Sequence, residues 1–288
     1  IYIDFTVDVK PLEITADIAG TTTKTYDGTV SAPPGLSIAL NGVLSGDTVT
    51  ANANFAYNSA NVSEANVIKA TNITLTGDKA KNYTLKENRA EIPANITKAQ
   101  GVLIVPSAIN KTFGDVPFLL QCSANSNGTI TYTSSDENIA EVSQDGIVTL
   151  KSAGTVDIKA SLSESENYTS APEQKIAITV AKATPTVSCN VEQIEIFGIS
   201  YLYFYITVTG VNGEALPTGY VEIIDRFNIN LNNSINDGEI QIMTSAIGYA
   251  GNETFTVTYK GDNNYNKVVT TVTFDLNKKS QSDFNIED

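Results

Sequence analysis

The loop Gly261-Asp262-Asn263-Asn264-Tyr265-Asn266 gathers one carboxylate and several amides within a few residues. That is the kind of hard-oxygen set a calcium ion takes from a flexible loop. The dipeptide Asn-Tyr occurs three times in the chain, at Asn82-Tyr83, Asn167-Tyr168 and Asn264-Tyr265. Around it the acid drifts: Asp78 precedes the first copy, Glu164 and Glu166 the second, Asp262 the third. A metal site keeps its charged ligand and lets the neighbouring aromatic vary, and here the reverse holds. Calcium is therefore the weaker reading of Asp262, Asn263 and Asn264, and no cofactor is expected.

Other chemistry is scarce. The chain contains no histidine, which excludes Ser-His and Cys-His nucleophiles and every histidine-ligated metal. There is no Cys-x-x-Cys, no Gly-x-Gly-x-x-Gly and no phosphate-binding loop. Asp136, Glu137 and Glu141 supply carboxylates that could pair for glycoside hydrolysis, but a solvated loop beside a strand accounts for them more simply. No catalytic residue is assigned, and the chain is expected not to be an enzyme.

Charge narrows the partners. The net charge is −14 over 288 residues, with five basic and nine acidic residues at 99–182 and five and thirteen at 183–288. Nucleic acid and anionic lipid need clustered Lys and Arg, so both are excluded as partners. Nothing apolar is long enough to cross a membrane as a helix. Cys122 and Cys189 fall in different parts of the repeat traced below, and they read as two small buried hydrophobes without a disulfide.

The elements that must position these residues are strands. The composition is 41% hydrophobic and 17% charged, rich in Thr, Val, Ile, Asn and Gly, with no Trp and one Met. That is a globular, β-rich balance with many turn formers. Ile1, Ile3, Phe5, Val7 and Val9 alternate with polar residues, and residues 1–9 read as the last strand of a truncated upstream module. Only Ser63–Ala70 offers a marginal helix. Residues 277–288 form a polar tail that frays.

Three independent markers set the period. Lys24-Thr25-Tyr26-Asp27-Gly28 is echoed by Lys111-Thr112-Phe113-Gly114-Asp115 at an offset of 87. Lys98-Ala99 is echoed by Lys182-Ala183 at 84, and Tyr83 by Tyr168 at 85. The boundaries that follow are 10–98, 99–182 and 183–276. Within 99–182, the runs GVLIV, PFLLQC, ITYTSS, IAEVS, IVTL, TVDIKAS and QKIAITVA read as short strands. Asp145-Gly146 lies between two of them as a hairpin signal. The fold expected is all-β, of tandem antiparallel immunoglobulin-like β-sandwiches in an elongated arrangement. Each Asn-Tyr falls between the penultimate and last strands. The ring of Tyr83, Tyr168 or Tyr265 is expected to insert between the sheets with its hydroxyl on a backbone partner. Asn82, Asn167 or Asn264 closes the loop. On that reading Tyr168→Ala costs about 2–4 kcal/mol. Tyr201, Tyr203 and Tyr205 alternate with Leu202, Phe204 and Ile206, so their strand is buried on both faces or shows an aromatic outer face.

These motifs resemble known bacterial modules. Residues 10–98, with TKTYDGT and LTGDKAKNYTL, resemble the YDG-type repeat. Residues 99–182, with ITYTSSDENIAEVSQDGIVTLKSAGTVDIKAS and ENYTSAP, are similar to bacterial Ig-like domains of the group-2 or MBG kind. Residues 183–276, with LPTGYVEI and FTVTYKGDNNYNKVVTTVTF, resemble a further bacterial Ig-like class. The resemblance implies a secreted or wall-attached protein of the bacterial cell surface, acting as an adhesin-type stalk or interaction module. The alternative it implies is a set of accessory modules, including carbohydrate-binding ones, of a larger surface enzyme. A monomer is expected, with a host or matrix protein or a glycan as partner. Some surface modules of this kind carry an internal Lys–Asn isopeptide bond, and Lys24 with Asn95 is an imaginable pair. A solvent-facing Lys24 beside the Tyr-Asp-Gly turn is the simpler expectation.

Overall fold

A computed structural model describes residues 8–211, 213–227, 230–235 and 237–276. The alternating run at 1–7 and the tail at 277–288 lie outside the described residues. Of the first run only Asp8 and Val9 are described; neither is in a strand, and Val9 is 81% exposed. The described chain forms two compact units. The first takes residues up to Ile104 with Cys122–Thr131 and Ser161–Glu173, and the second takes Val105–Gln121, Tyr132–Ala160 and the chain from Gln174.

Residues 10–98 form strands β1 (Leu12–Ala19), β2 (Thr23–Thr25), β3 (Ser37–Asn41), β4 (Thr50–Tyr57), β5 (Val67–Thr76), β6 (Tyr83–Leu85), β7 (Ala90–Pro93) and β8 (Asn95–Thr97). They assemble as β3-β1-β6, β4-β5-β7 and the pair β2-β8. The core gathers Ile18, Tyr57, Ile68, Ala70, Ile73 and Ile96. The marginal helix expected at Ser63–Ala70 is instead a turn leading into β5. Ile68 and Ala70 are fully buried two residues apart, while Lys69 between them is exposed. The period-2 burial of Ile68 and Ala70 therefore overrides a weak local helix preference.

Residues 99–182 form β9 (Leu103–Ile104), β10 (Ala108–Thr112), β11 (Phe118–Leu119), β12 (Ser123–Ala124), β13 (Ile130–Ser134), β14 (Ala140–Val142), β15 (Ile147–Leu150), β16 (Gly154–Leu162) and β17 (Ala171–Ala181). Their sheets run β10-β17-β16-β13, β11-β15-β14 and β12-β9. Asp145-Gly146 lies in the loop between β14 and β15, which pair antiparallel. Gly146 has φ +80°, donates its N–H to the Ser143 carbonyl at 2.9 Å, and lies against the Tyr132 ring. A side chain there would meet both backbone strain and that ring.

Residues 183–276 form β18 (Thr186–Ile196), β19 (Ile199–Thr209), β20 (Gly219–Ile224), β21 (Asn230–Ile235), β22 (Glu239–Ser245), β23 (Gly251–Tyr259) and β24 (Val268–Leu276). Two sheets result, β18-β19-β22 and β21-β20-β23-β24. Leu202, Phe204, Ile206 and Val208 of β19 are buried, as are Val221, Ile223, Phe255 and Val257. Phe204 and Phe255 meet edge to face at 4.9 Å between centroids. Asparagine-rich β21 has no alternating apolar signal, and its pairing with β20 imposes the strand.

Two further features depart from the sequence reading. The ladders are mostly antiparallel, but β1-β6, β2-β8 and β10-β17 run parallel. Asn82-Tyr83 does not precede the last strand of its stretch, because β6 begins at Tyr83 and β7 and β8 follow. Tyr83 begins β6, and its register against Leu12 of β1 ties the corner to the first strand.

Candidate functional site

The three Asn-Tyr corners were built by one scheme. In each, the tyrosine pairs in parallel with the opening of its own stretch: Leu12 with Tyr83, Ala99 with Tyr168, Ala183 with Tyr265. The two later corners share three backbone bonds. The Ala183 N–H donates to the Asn264 carbonyl (2.9 Å), Asn266 N–H to Ala183 (2.8 Å), and Asp262 N–H to Tyr265 (3.1 Å). In the earlier copy Ala99 N–H donates to Asn167 (3.0 Å), Thr169 N–H to Ala99 (2.9 Å), and Ser165 N–H to Tyr168 (2.9 Å). The junction lysines close the same loops: Lys98 Nζ donates to the Ser165 carbonyl at 2.7 Å, and Lys182 Nζ to that of Asp262. The Lys-Ala and Asn-Tyr repeats are thus two sides of a single structure.

Asp262 shows why the calcium reading is weak. Its Oδ1 accepts the N–H groups of Asn264 and Tyr265, both at 2.8 Å. Its Oδ2 accepts the Thr218 N–H at 2.8 Å and the Thr218 hydroxyl at 3.1 Å. Burial pulls the Asp262 pKa up, but these donors outweigh it and leave the pKa below its ordinary value of 3.8. Asn263 is exposed, and Asn264 turns its Oδ1 to the Ala153 N–H at 2.9 Å. The carboxylate is a loop clasp, in the role the sequence reading gave to the asparagine. None of Asn82, Asn167 and Asn264 has the left-handed backbone that a loop-closing asparagine tolerates.

Asp262→Ala should therefore cost about 2–3 kcal/mol by leaving three backbone donors without their acceptor. Because the folded pKa is depressed, the clasp contributes fully above the unfolded pKa and weakens as pH falls below it. The stability difference between the protein and Asp262→Ala, from urea titrations, should hold from pH 7 to about 4 and shrink below that. A difference unchanged at pH 2.5 would rule the charged clasp out.

The three tyrosines differ in depth. Tyr265 is 1% exposed; its hydroxyl donates to the Ala215 carbonyl at 2.8 Å and accepts the Val211 N–H at 3.2 Å. Gly210 leaves the space that this hydroxyl occupies. Tyr83 is buried as well, but its hydroxyl donates to the Asp47 carboxylate (2.6 Å) while accepting the Leu44 N–H (3.1 Å). Tyr168 is only half-buried, and its ring packs edge to face on Tyr26 at 5.3 Å. It therefore does not insert between sheets, and the large truncation cost expected at Tyr168 belongs at Tyr265.

The other candidates are not assembled into sites. Asp136 Oδ1 accepts the N–H of Asn138 at 2.9 Å, and Glu141 pairs with Lys151 at 3.2 Å. Glu166 accepts the Ser63 hydroxyl at 2.6 Å, and Glu164 lies 3.5 Å from Lys98. The side chain of Lys24 is 11% exposed rather than solvent-facing, because its Nζ bonds Asp27 Oδ1 (2.7 Å) and the Thr29 carbonyl (2.8 Å). The Lys24 ammonium, followed by the N–H and hydroxyl of Thr29, holds the Asp27 pKa down to about 2. Asn95 Oδ1 accepts the Thr23 hydroxyl at 2.7 Å. Cys122 and Cys189 are free thiols of intermediate exposure, not buried ones, and desolvation raises Cys189 to about 11. Among the described residues, no three His, Cys, Asp or Glu are placed to share a metal ion.

The tyrosines of β19 resolve the two-way sequence reading. Leu202, Phe204 and Ile206 face the core, while Tyr201, Tyr203 and Tyr205 are half-buried on the opposite face. Tyr203 and Tyr205 stack at 6.3 Å with planes 28° apart. Across the ladders Tyr203 faces Glu192 and Met243, and Tyr205 faces Asn190 and Gln241.

The fold is all-β, of tandem, mainly antiparallel Ig-like sandwiches. The chain carries a YDG domain, matched over residues 10–90, and a bacterial Ig-like domain of group 2, matched over residues 119–171. No curated protein matches the chain. Similar solved structures include the Yersinia pseudotuberculosis adhesin InvE, at 11% identity over 61% of this chain and 59% of that one, with TM-score 0.29. Surface layer protein SbsC, domains 1–6, is 14% identical over 91% of this chain and 40% of that one, TM-score 0.29. A Parabacteroides merdae β-glucuronidase is 10% identical over 62% of this chain and 24% of that one, TM-score 0.21. The chain spans less than two thirds of each of these structures.

Proposed function

We propose that the chain is a non-catalytic part of a secreted or wall-attached bacterial surface protein, serving as an adhesin-type stalk or interaction module. The observation that carries this reading is the succession of a YDG domain and a group-2 bacterial Ig-like domain in one acidic, histidine-free chain. Engagement of Asp136, Glu141, Asp262 and Lys24 in local bonds supports it. The partner is a host or matrix protein or a glycan, met by a monomer. An antibody raised against the protein should label intact producing cells, and the protein should turn over none of a panel of glycosides and peptides. Labelling confined to lysed cells, or measurable turnover, would overturn the reading.

The stacked Tyr203 and Tyr205 favour a second reading, accessory modules that bind carbohydrate. Their rings with Glu192, Asn190 and Gln241 suit the apolar face and hydroxyls of a sugar. On a glycan array, binding lost in Tyr203→Ala and Tyr205→Ala would select this reading, and no binding by the parent protein would remove it.

A further inference from the structure

The Asn-Tyr corner recurs at Tyr168 and Tyr265, 97 residues apart, the Lys-Thr-aromatic turn at Tyr26 and Phe113, 87 apart, and the structure brings them together twice. In the first compact unit, Asn167 Oδ1 accepts the N–H of Val62 at 2.9 Å and its Nδ2 donates to Asn61 Oδ1 at 3.1 Å. Beside it the Tyr168 ring meets Tyr26 of Lys24-Thr25-Tyr26 at 5.3 Å, with planes 73° apart. In the second unit, Asn264 Oδ1 accepts the N–H of Ala153 at 2.9 Å. There Tyr265 meets Phe113 of Lys111-Thr112-Phe113 at 5.5 Å and 90°. Each asparagine thus caps a backbone N–H more than 100 positions upstream, 105 in one case and 111 in the other. Each tyrosine meets the aromatic of the preceding turn edge to face.

Both turns occupy the same place. Tyr26 follows β2, which runs parallel to β8, and its N–H donates to the Thr97 carbonyl at 2.8 Å. Phe113 follows β10, which runs parallel to β17, and its N–H donates to the Ala181 carbonyl at 2.8 Å. Thr97 and Ala181 each stand just before a Lys-Ala junction. The aromatic is therefore held at the exit of one stretch, where the next stretch presents its corner. Fit is close at the second joint: Gly114 has φ +89°, and a Cβ there would lie 2.3 Å from Val211 Cγ2.

We infer that the Asn-Tyr corner is a docking surface whose partner is the Lys-Thr-aromatic turn of the preceding module, the pair forming a coupler between consecutive sandwiches. Four features of different chemistry agree in two copies: an amide cap, an edge-to-face ring pair, a lysine-closed loop and a parallel bridge. The inference rests on the reading of the chain as tandem modules and adds what joins them. Because the receptor groups are a ring and a backbone N–H, the coupler needs an aromatic on the turn and tolerates either Tyr or Phe.

Amide hydrogen exchange on the full chain tests this from both sides. In Asn167→Leu, exchange of the segment around Val62 should rise about fivefold or more, although the substitution lies in the other module. Asn264→Leu should do the same around Ala153. Asn61→Ala approaches the first joint from its opposite half and should accelerate exchange at 165–169, so the test survives if Asn167→Leu does not fold. The cycle Tyr26→Ala, Tyr168→Ala and the double variant should be non-additive, with unfolding constants departing about three- to tenfold from the product. Unchanged exchange at Val62 and Ala153, or additive losses in the cycle, would overturn the coupler. Glycan binding through Tyr203 would change the functional reading and leave all of these rates as they are.

Discussion

Replacing Tyr265 by alanine is expected to lower stability by about 3–5 kcal/mol, the largest single effect predicted for this chain. Three losses coincide there. The ring is 1% exposed and packs on Phe113, so truncation opens a cavity where the corner meets β10 and β17. Its hydroxyl satisfies the Val211 N–H and the Ala215 carbonyl, both of which lose their partner. The ring also stands next to Asp262, whose clasp depends on the Tyr265 N–H staying in place. Tyr265→Phe separates the terms: it keeps the ring and should cost only about 1–2 kcal/mol. Urea unfolding followed by far-ultraviolet circular dichroism measures both. A loss below about 1 kcal/mol for Tyr265→Ala would mean that the site collapses around the gap and that the ring is not a pin.

Arg226→Ala is the second large expectation, at about 3 kcal/mol or more. Glu253 lies on β23 with a side chain 4% exposed, and Arg226 Nη1 holds its Oε1 at 2.8 Å. The Ala250 N–H adds a bond to the same oxygen at 3.3 Å. The guanidinium also donates to the Gly248 carbonyl at 3.0 Å and lies over the Phe227 ring at 4.6 Å. Close by, Tyr249 donates its hydroxyl to Asp225, and burial followed by that carboxylate pushes the phenol well above its usual pKa. Removing Arg226 leaves the Glu253 carboxylate buried without its cation, which costs far more than an exposed pair is worth. The double change Arg226→Met with Glu253→Leu should recover most of the loss, because it removes the buried charge together with its partner. If the single variant lost under about 1 kcal/mol, water would be solvating Glu253 and the pair would be a surface one.

Neither of these pairs could be reached from residue types alone. Arg226 and Glu253 are separated by a strand pair and a loop, and no repeat marks them. The Asp145-Gly146 hairpin was legible because the turn and both strands are local, within about ten residues. Strand β21 was not, because Asn230 to Ile235 carries no alternation and owes its conformation to β20. The same contrast explains the parallel ladders. Period-2 burial identifies a strand but not the direction of its neighbour, and β2, β6 and β10 each pair in parallel with a strand distant in the chain.

For the Asn-Tyr corners, composition and spacing alone already indicated that the dipeptide belongs to a repeating β architecture. The drift of the carboxylates from copy to copy made calcium the weaker reading of the loop. What emerged only on folding is where the side chains turn. The groups they meet are the backbone N–H of Val62 and of Ala153, 105 and 111 residues upstream. A backbone N–H has no residue signature, so no pattern of residue types announces it as a partner. The recurring Lys-Thr-aromatic turn and Asn-Tyr corner were visible in the sequence, and their pairing exists only once the strands have brought the two together.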